Sequence, residues 1–275
     1  MSVATTILNR LTTAGSAQPC LTWYGDDDER VELSGRVLAN WVTKATNLLV
    51  EDADVGPGSR VVLDLPTHWR TVVWALAAWA AGAEVVLPPE EEADDDDVEA
   101  WGEMEDEDEV ADDEGFVPDA DEDEPDVVVT ARPAQAPTAG LVLVVALPAL
   151  ARHVEEAVPA GAVDAAAAIM SYGDVLGPVR EPDPAAEALS GVAGLDAAPS
   201  VTFADLAEWA VHQLPAAHRD EAGARVLCAP GSVDQLLGHA LATWLAGGSV
   251  VLLGEDVPHE RFAHIAETER ATVRC

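Results

Sequence analysis

A chain of 275 residues with 51 acidic and 14 basic side chains, a formal charge of −37, has no basic surface to neutralise phosphates, which excludes direct nucleic-acid binding. Its longest apolar runs, 72–83 and 141–151, fall short of the ~20 residues that a membrane-crossing helix requires, so no span is expected. The length suffices for one large core or two small ones.

The acidity is of two kinds. The run from Glu90 to Asp126 holds 23 acids and no base, and the remaining residues still carry 28 acids against 14 bases, with Lys44 the one lysine. Acidity spread this widely fits a protein kept soluble in concentrated salt, where screening relieves the self-repulsion that opposes compaction. The acidic run itself has too few apolar residues to fold and is too long for an ordinary loop, so it reads as a disordered surface insertion. Its spacing of Asp, Gly and Glu matches no calcium loop. The N-terminus, MSVATTILNRLTTAG, lacks a basic start followed by an apolar core, so no secretory signal is expected and the location is read as cytoplasmic.

In chain order, residues 3–14 form a short helix, and Cys20–Tyr24 and Arg30–Leu33 a strand pair split by the turn at Gly25-Asp26-Asp27-Asp28. Ser34 is placed to cap a helix that carries Leu38, Trp41, Val42, Ala45, Leu48 and Leu49 on one face. Lys44 lies off that stripe and reads as solvated. After the turn at Gly56-Pro57-Gly58, Arg60–Leu87 reads as strand, crossover helix closed by Gly82, and parallel strand, a βαβ unit. A short strand is expected at 126–130 and another from Leu141 to Leu147, ended by Pro148. Pro and Gly break the region 151–184, with one short helix at 165–172. A Gly-containing turn spans Ser190 to Leu195, and a helix follows from about Phe203 to Leu214. A second βαβ unit, 225–252, repeats the first at an offset of 165, with Trp79, Gly82 and Val85 matching Trp244, Gly247 and Val250. A last helix from Pro258 to Arg270 and a strand begun at Ala271 close the chain. The fold class is α/β with two related halves, divided as 1–189, containing the insertion 89–126, and a shortened 190–275.

The order of these pieces resembles the N-terminal segment of the AMP-forming adenylating enzymes, the superfamily of acyl-CoA synthetases, luciferases and peptide-synthetase adenylation domains. Gly56, Pro57, Gly58, Arg60, Pro66, Gly82 and Ala83 stand where that superfamily has its turn, strand end and helix end. The segment 226–272 is similar to its second subdomain. The resemblance is strongest to the shorter, acyl-CoA synthetase-like group that lacks the C-terminal domain. It implies a phosphate loop at Ser190–Ala197, where Ser190, Gly191 and Gly194 match the family's serine and glycines and Thr202 follows at the right distance. Val192 and Ala193 replace two threonines, and Asp196 and Ala197 replace proline and lysine, so this anion loop has lost hydroxyls and a cation and gained an acid. ATP or AMP binding is accordingly disfavoured, no cofactor is assigned, and no residue is assigned a catalytic role. The expected function is an acyl-CoA synthetase-like protein of a salt-adapted cytoplasm without adenylation activity of its own. The alternatives are a ligase completed by a partner chain and an interaction module whose acidic run engages an unknown basic protein.

The other candidates read as structural. Cys20, Cys228 and Cys275 show neither metal-ligand spacing nor a disulfide framework. The seven histidines contain no helical i, i+4 pair and read as core or surface residues, so no metal site is expected. Pro230-Gly231-Ser232 is not a hydrolase elbow, and Ser232 reads as a helix cap. The eight tryptophans read as core packing rather than a stacking platform.

Overall fold

The computed structural model describes residues 2–13, 16–26, 28–88, 124–191 and 200–275; the acidic run as far as residue 123, and residues 192–199, lie outside the described residues. Helix α1 (Val3–Thr13) leads into the antiparallel pair β1 (Pro19–Tyr24) and β2 (Arg30–Ser34), and then helix α2 (Gly35–Ala53). The Ser34 side chain accepts the Val37 amide, as an N-cap does, and Asp54 in the left-handed region ends the helix. Leu38, Val42, Ala45, Leu48 and Leu49 form its buried face, as their spacing requires.

Strand β3 (Arg60–Asp64), helix α3 (Trp69–Ala81) and β4 (Glu84–Val86) make the first crossover unit, in parallel register from Arg60↔Glu84 to Val62↔Val86. All thirteen residues of α3 are buried, Arg70 and Thr71 in its first turn included, so this helix lies covered on every side, as the apolar run from Val72 to Ala81 demands. Gly82, at φ +90°, supplies the left-handed turn that sends the chain into β4. Strands β5 (Val127–Thr130), β6 (Leu141–Val144) and β7 (Val163–Asp164), helix α4 (Ala165–Ala168), strands β8 (Glu187–Ser190) and β9 (Val201–Thr202) and helix α5 (Leu206–Gln213) come next. The second unit is β10 (Arg225–Cys228), α6 (Val233–Leu245) and β11 (Ser249–Leu253), followed by α7 (Phe262–Thr268) and β12 (Val273–Arg274).

Among the described residues these strands form two sheets, ordered β7-β6-β5-β3-β4-β8-β9 and β12-β10-β11-β1-β2. The second sheet repeats the last five positions of the first: three parallel pairings and then one antiparallel. Each sheet is completed by a hairpin distant in sequence from its crossover unit. The β1–β2 pair extends the sheet of residues 225–274, and the β8–β9 pair extends the sheet built on the first crossover unit. The strands therefore do not sort along a boundary at residue 190. One hydrophobic cluster runs through both halves, from Ile7 and Leu48 through Leu76 to Leu237 and Leu252.

The repeated tryptophans anchor this exchange. Trp79 donates its indole N–H to the Ala188 carbonyl on β8 at 2.7 Å, and Trp244 donates to the Cys20 carbonyl on β1 at 3.0 Å. Both rings are fully buried, and each acceptor is the second residue of the exchanged strand. Beyond packing, each indole therefore supplies a directional bond to the strand that closes its own sheet. Trp79→Phe and Trp244→Phe should each lower the unfolding free energy by about 1–3 kcal/mol, because each removes a buried donor from a carbonyl. Urea unfolding measures this, and a near-zero cost at either position would contradict the equivalence of the two anchors.

Candidate functional site

Parallel sheets bind ligands beyond the carboxyl ends of their strands, where the strand order reverses. In the seven-stranded sheet that point lies between β3 and β5, and in the five-stranded sheet between β10 and β12. The carboxyl ends of the two sheets also meet each other. Thr67, after β3, donates its hydroxyl to Glu255, after β11, at 3.3 Å, and the Trp23 ring at the end of β1 meets His68 edge-on at 4.5 Å. His68 accepts the Arg70 amide through Nδ1, and burial together with the Arg70 charge pushes its pKa down to about 3, so it is neutral. Between β3 and β5, Asp64 accepts the Thr130 hydroxyl and an Arg132 N–H, each at 2.6 Å, so this carboxylate is already satisfied.

The implied phosphate loop connects β8 to β9. Ser190 ends β8, Gly191 follows it, Thr202 lies in β9, and Gly194 is outside the described residues. Ser190 Oγ donates to Glu84 Oε1 at 2.5 Å, and Thr202 Oγ1 donates to Asp205 Oδ2 at 2.7 Å. Both hydroxyls are thus spent on carboxylates. The hairpin register separates them as well: Thr202 stands opposite Glu187, roughly 10 Å along β8 from Ser190. The structure therefore brings Ser190 and Gly191 together and leaves Thr202 away from them. Gly191 has φ +74°, and a Cβ there would fall 2.0 Å from the Leu87 carbonyl oxygen, so only glycine fits.

Two expectations need correction. Lys44 is not solvated: its side chain is 12% exposed, bonds the Tyr172 carbonyl and pairs with Asp174 at 2.7 Å. The cause is the segment between β7 and β8, which passes over α2 and covers the helix face opposite its apolar stripe. The Ser232 hydroxyl, at the N-terminus of α6, bonds Asp234 rather than a backbone amide.

Two cysteines and one histidine, scattered in sequence, converge at one place. Donor atoms of Cys228, His239 and Cys275 lie within 4.8 Å of one another among the described residues. Interaction with the Cys228 thiol, and secondarily with His239, holds Cys275 down to about 5 against the opposing effect of burial. Cys20 differs, for burial pushes its thiol up to about 12. No spacing rule reveals the trio, because its members come from two strands and a crossover helix. Cys228 ends β10 and Cys275 follows β12, and only the β10–β12 pairing in the fold sets them side by side.

A cavity of about 630 Å³ opens at the amino ends of β10, β11 and β1, lined by Arg10, Arg225, Trp244 and Ser249 among others. Its cations are committed. Arg10 bonds the Leu245 carbonyl, and Arg225 bonds Thr22, Ser249 and Glu269. Glu269 also accepts Tyr24 Oη at 2.6 Å and Arg30 Nη2 at 2.8 Å. This set closes the bottom of the sheet rather than presenting free charge to a ligand. A second space, under Trp41, Trp69 and Arg70, is about 10 Å³ and holds a water at most.

Burial alone would raise the Glu269 pKa, but the bonds from Tyr24, Arg30 and Arg225 outweigh it and leave it below the usual carboxylate range. A carboxyl held low in the folded state contributes stability that is full above its unfolded pKa and lost as pH falls through the folded value. Acid titration of stability should therefore show a loss at the low end of the carboxylate range that Glu269→Gln no longer shows. At neutral pH the same variant should cost on the order of 2 kcal/mol, less than a fully buried pair because Arg30 reaches solvent. Gly191→Ala should cost about 1–3 kcal/mol in backbone strain, with the clash against Leu87 adding to it. Unchanged urea midpoints would refute either geometry.

No family model matches the chain. It is 30% identical over 277 residues to a TIGR03089 family protein of Mycobacterium tuberculosis, covering 97% of this chain and 95% of that one. Among solved structures, an acyl-CoA synthetase of Brucella canis superimposes with a TM-score of 0.70 at 19% identity, over 100% of this chain and 47% of the enzyme. The N-terminal subdomain of Klebsiella oxytoca NpsA, in complex with 3-hydroxybenzoyl-AMSN, matches with a TM-score of 0.64 at 10% identity, over 99% of this chain and 59% of that one. The acetoacetyl-CoA synthetase of Streptomyces lividans matches with a TM-score of 0.68 at 19% identity, over 100% and 42%. The chain thus has the fold of the N-terminal part of adenylate-forming enzymes and spans about half the length of those structures. Among the described residues no helix is long and apolar enough to cross a membrane.

Proposed function

From the premise that the chain belongs to the TIGR03089 family, we propose that it keeps an acyl-CoA synthetase-like scaffold without adenylating a substrate of its own. It serves instead as a binding or regulatory module. The observation that carries this reading is the engagement of Ser190 by Glu84 at the mouth of the β8–β9 loop. Adenylation builds negative charge on the ATP phosphates, and each preorganised donor removed from such a site costs about 10²–10³ in rate. Here the loop hydroxyl faces a carboxylate, the loop sequence adds Asp196 where the superfamily has proline, and the one lysine is held by Tyr172 and Asp174. A carboxylate so placed repels a phosphate. Carboxylate-dependent ATP–pyrophosphate exchange, measured in molar KCl over acids of increasing chain length, should stay at the level of a no-enzyme blank. Turnover by the purified chain would overturn the reading, and turnover only with a co-purifying protein would assign adenylation to a shared complex. A thermal-shift series with ATP, AMP, CoA and acyl-adenylate mimics then finds what the scaffold binds, because a ligand of the folded state raises its midpoint.

The setting we propose is a salt-rich cytoplasm. At −37, self-repulsion opposes the folded state most at low ionic strength, and a screening length falling from ~10 Å at 0.1 M to ~3 Å at 1 M salt removes most of it. The unfolding midpoint should therefore rise as KCl goes from about 0.1 to 1 M. A midpoint that is flat or falls would sink the salt-adapted reading and leave the adenylation question untouched.

A further inference from the structure

We propose that Cys228, His239 and Cys275 form a binding site for one zinc-type cation, held by two thiolate sulfurs and an imidazole nitrogen, with the fourth position open. The fold brings the three together by register. Strands β10 and β12 run parallel with Val226↔Val273 and Leu227↔Arg274, so the next step sets Cys228 and Cys275 side by side, with their side chains on one face of the sheet. His239 projects from the second turn of α6, the crossover helix that leaves β10, and meets them there.

Two of the three spacings match a tetrahedral ion, and the third lies within 4.8 Å. The sulfurs are 3.8 Å apart, and Cys275 Sγ lies 3.4 Å from His239 Nδ1. Zinc–sulfur bonds of ~2.3 Å and zinc–nitrogen bonds of ~2.0–2.1 Å at the tetrahedral angle put two sulfurs about 3.8 Å apart and a sulfur and nitrogen about 3.5 Å apart. The imidazole is already set for this role. Its Nε2 lies 3.0 Å from the Gln213 carbonyl at the end of α5, and a carbonyl can only accept, so Nε2 carries the proton and Nδ1 presents its lone pair to the sulfurs. A backbone carbonyl behind the ring is the outer partner that metal-bound histidines use.

A disulfide fits the place less well. The two cysteines are free thiols with sulfurs 3.8 Å apart, well beyond the ~2.05 Å of a disulfide bond. The ligand set also excludes the hard cations, since thiolate and imidazole select zinc and the softer ions over magnesium or calcium. On binding, any proton still held on the two sulfurs is released, and the two thiolate charges offset the dication, so the buried group is neutral overall. Cys228 and His239 are buried whereas Cys275 is partly exposed, which gives the ion an entry path and leaves its open side toward solvent.

Cobalt(II) is the probe, because the many carboxylates of this chain bind metals without giving a sulfur-to-metal absorption. The reduced, chelator-stripped full chain should develop thiolate-to-cobalt charge-transfer absorption that saturates at one cobalt per chain and is displaced by zinc. Cys228→Ser and His239→Gln should each abolish the one-equivalent saturation, whereas Cys20→Ser should keep it. Absence of the band in the native chain, or its persistence undiminished in Cys228→Ser, overturns the site. If a variant fails to fold by circular dichroism, the titration of the native chain decides, together with protection of Cys275 from alkylation by one equivalent of zinc.

Discussion

The structure depends on two parallel strand pairings that join distant parts of the chain: β1 on β11 and β8 on β4. In the first, Leu21 to Tyr24 lie against Val250 to Leu253, more than 200 residues away. Each pairing supplies the strand on which a hairpin is then laid, so neither sheet is complete until a segment distant in sequence has arrived. Long-range parallel pairing is slow to form because loop-closure entropy must be spent before the contacts exist. Trp79 and Trp244 bear on this step directly. Each combines a large apolar ring with one N–H, and that N–H ends on the incoming strand. The core is then continuous through both halves, and cutting the chain between them would strand apolar faces on both sides.

The same exchange decides where chemistry can sit. Because the hairpins are swapped, the carboxyl ends of both sheets approach each other around Thr67, His68, Trp23 and Glu255. Glu29, from the turn between β1 and β2, reaches into this region and accepts both the Trp23 indole N–H and the Ala149 amide. The polar groups here include carboxylates that already accept hydrogen bonds, together with a neutral histidine. Such an environment is closed and acidic. Under the proposed function it would oppose capture of a triphosphate, as would the field of a chain at −37.

Much of this architecture was legible in the residues. Both βαβ units, the Ser34 cap, the Gly82 turn and the buried stripe of α2 follow from period, capping and turn chemistry, and all are present. The offset of 165 was a true structural repeat, since the two tryptophans it aligned make the same bond. What escaped were the short pieces. Strands β7 and β9 have two residues each, and β8, with sequence EALS, carries little β propensity; they are strands only because a neighbour offers its edge. The exchange of hairpins was likewise hidden, because local pattern says which segments are strands but not which sheet they join. Of the candidate loop, the turn at Ser190 and Gly191 was expected, but its place at the end of β8 was not. Nor were the carboxylate partners Glu84 and Asp205, since one of them lies more than a hundred residues away.

The two points of strand reversal are topologically equivalent and chemically unlike. One is filled by Asp64, Thr130 and Arg132, whose charges and hydrogen bonds close on each other. At the other, the strand ends carry two thiols, with an imidazole whose outer nitrogen is already spoken for. A repeat that preserved only packing would place apolar residues at the second point, as it does at the matching positions Leu63 and Val129 of the first sheet. Cys228 and Cys275 replace that apolar pair in register, and His239 comes from α6, the crossover helix that follows β10. Since one substitution of three would leave a lone buried thiol or ring, the feature to be explained is their coincidence at a single point, and a shared ligand accounts for it where packing does not.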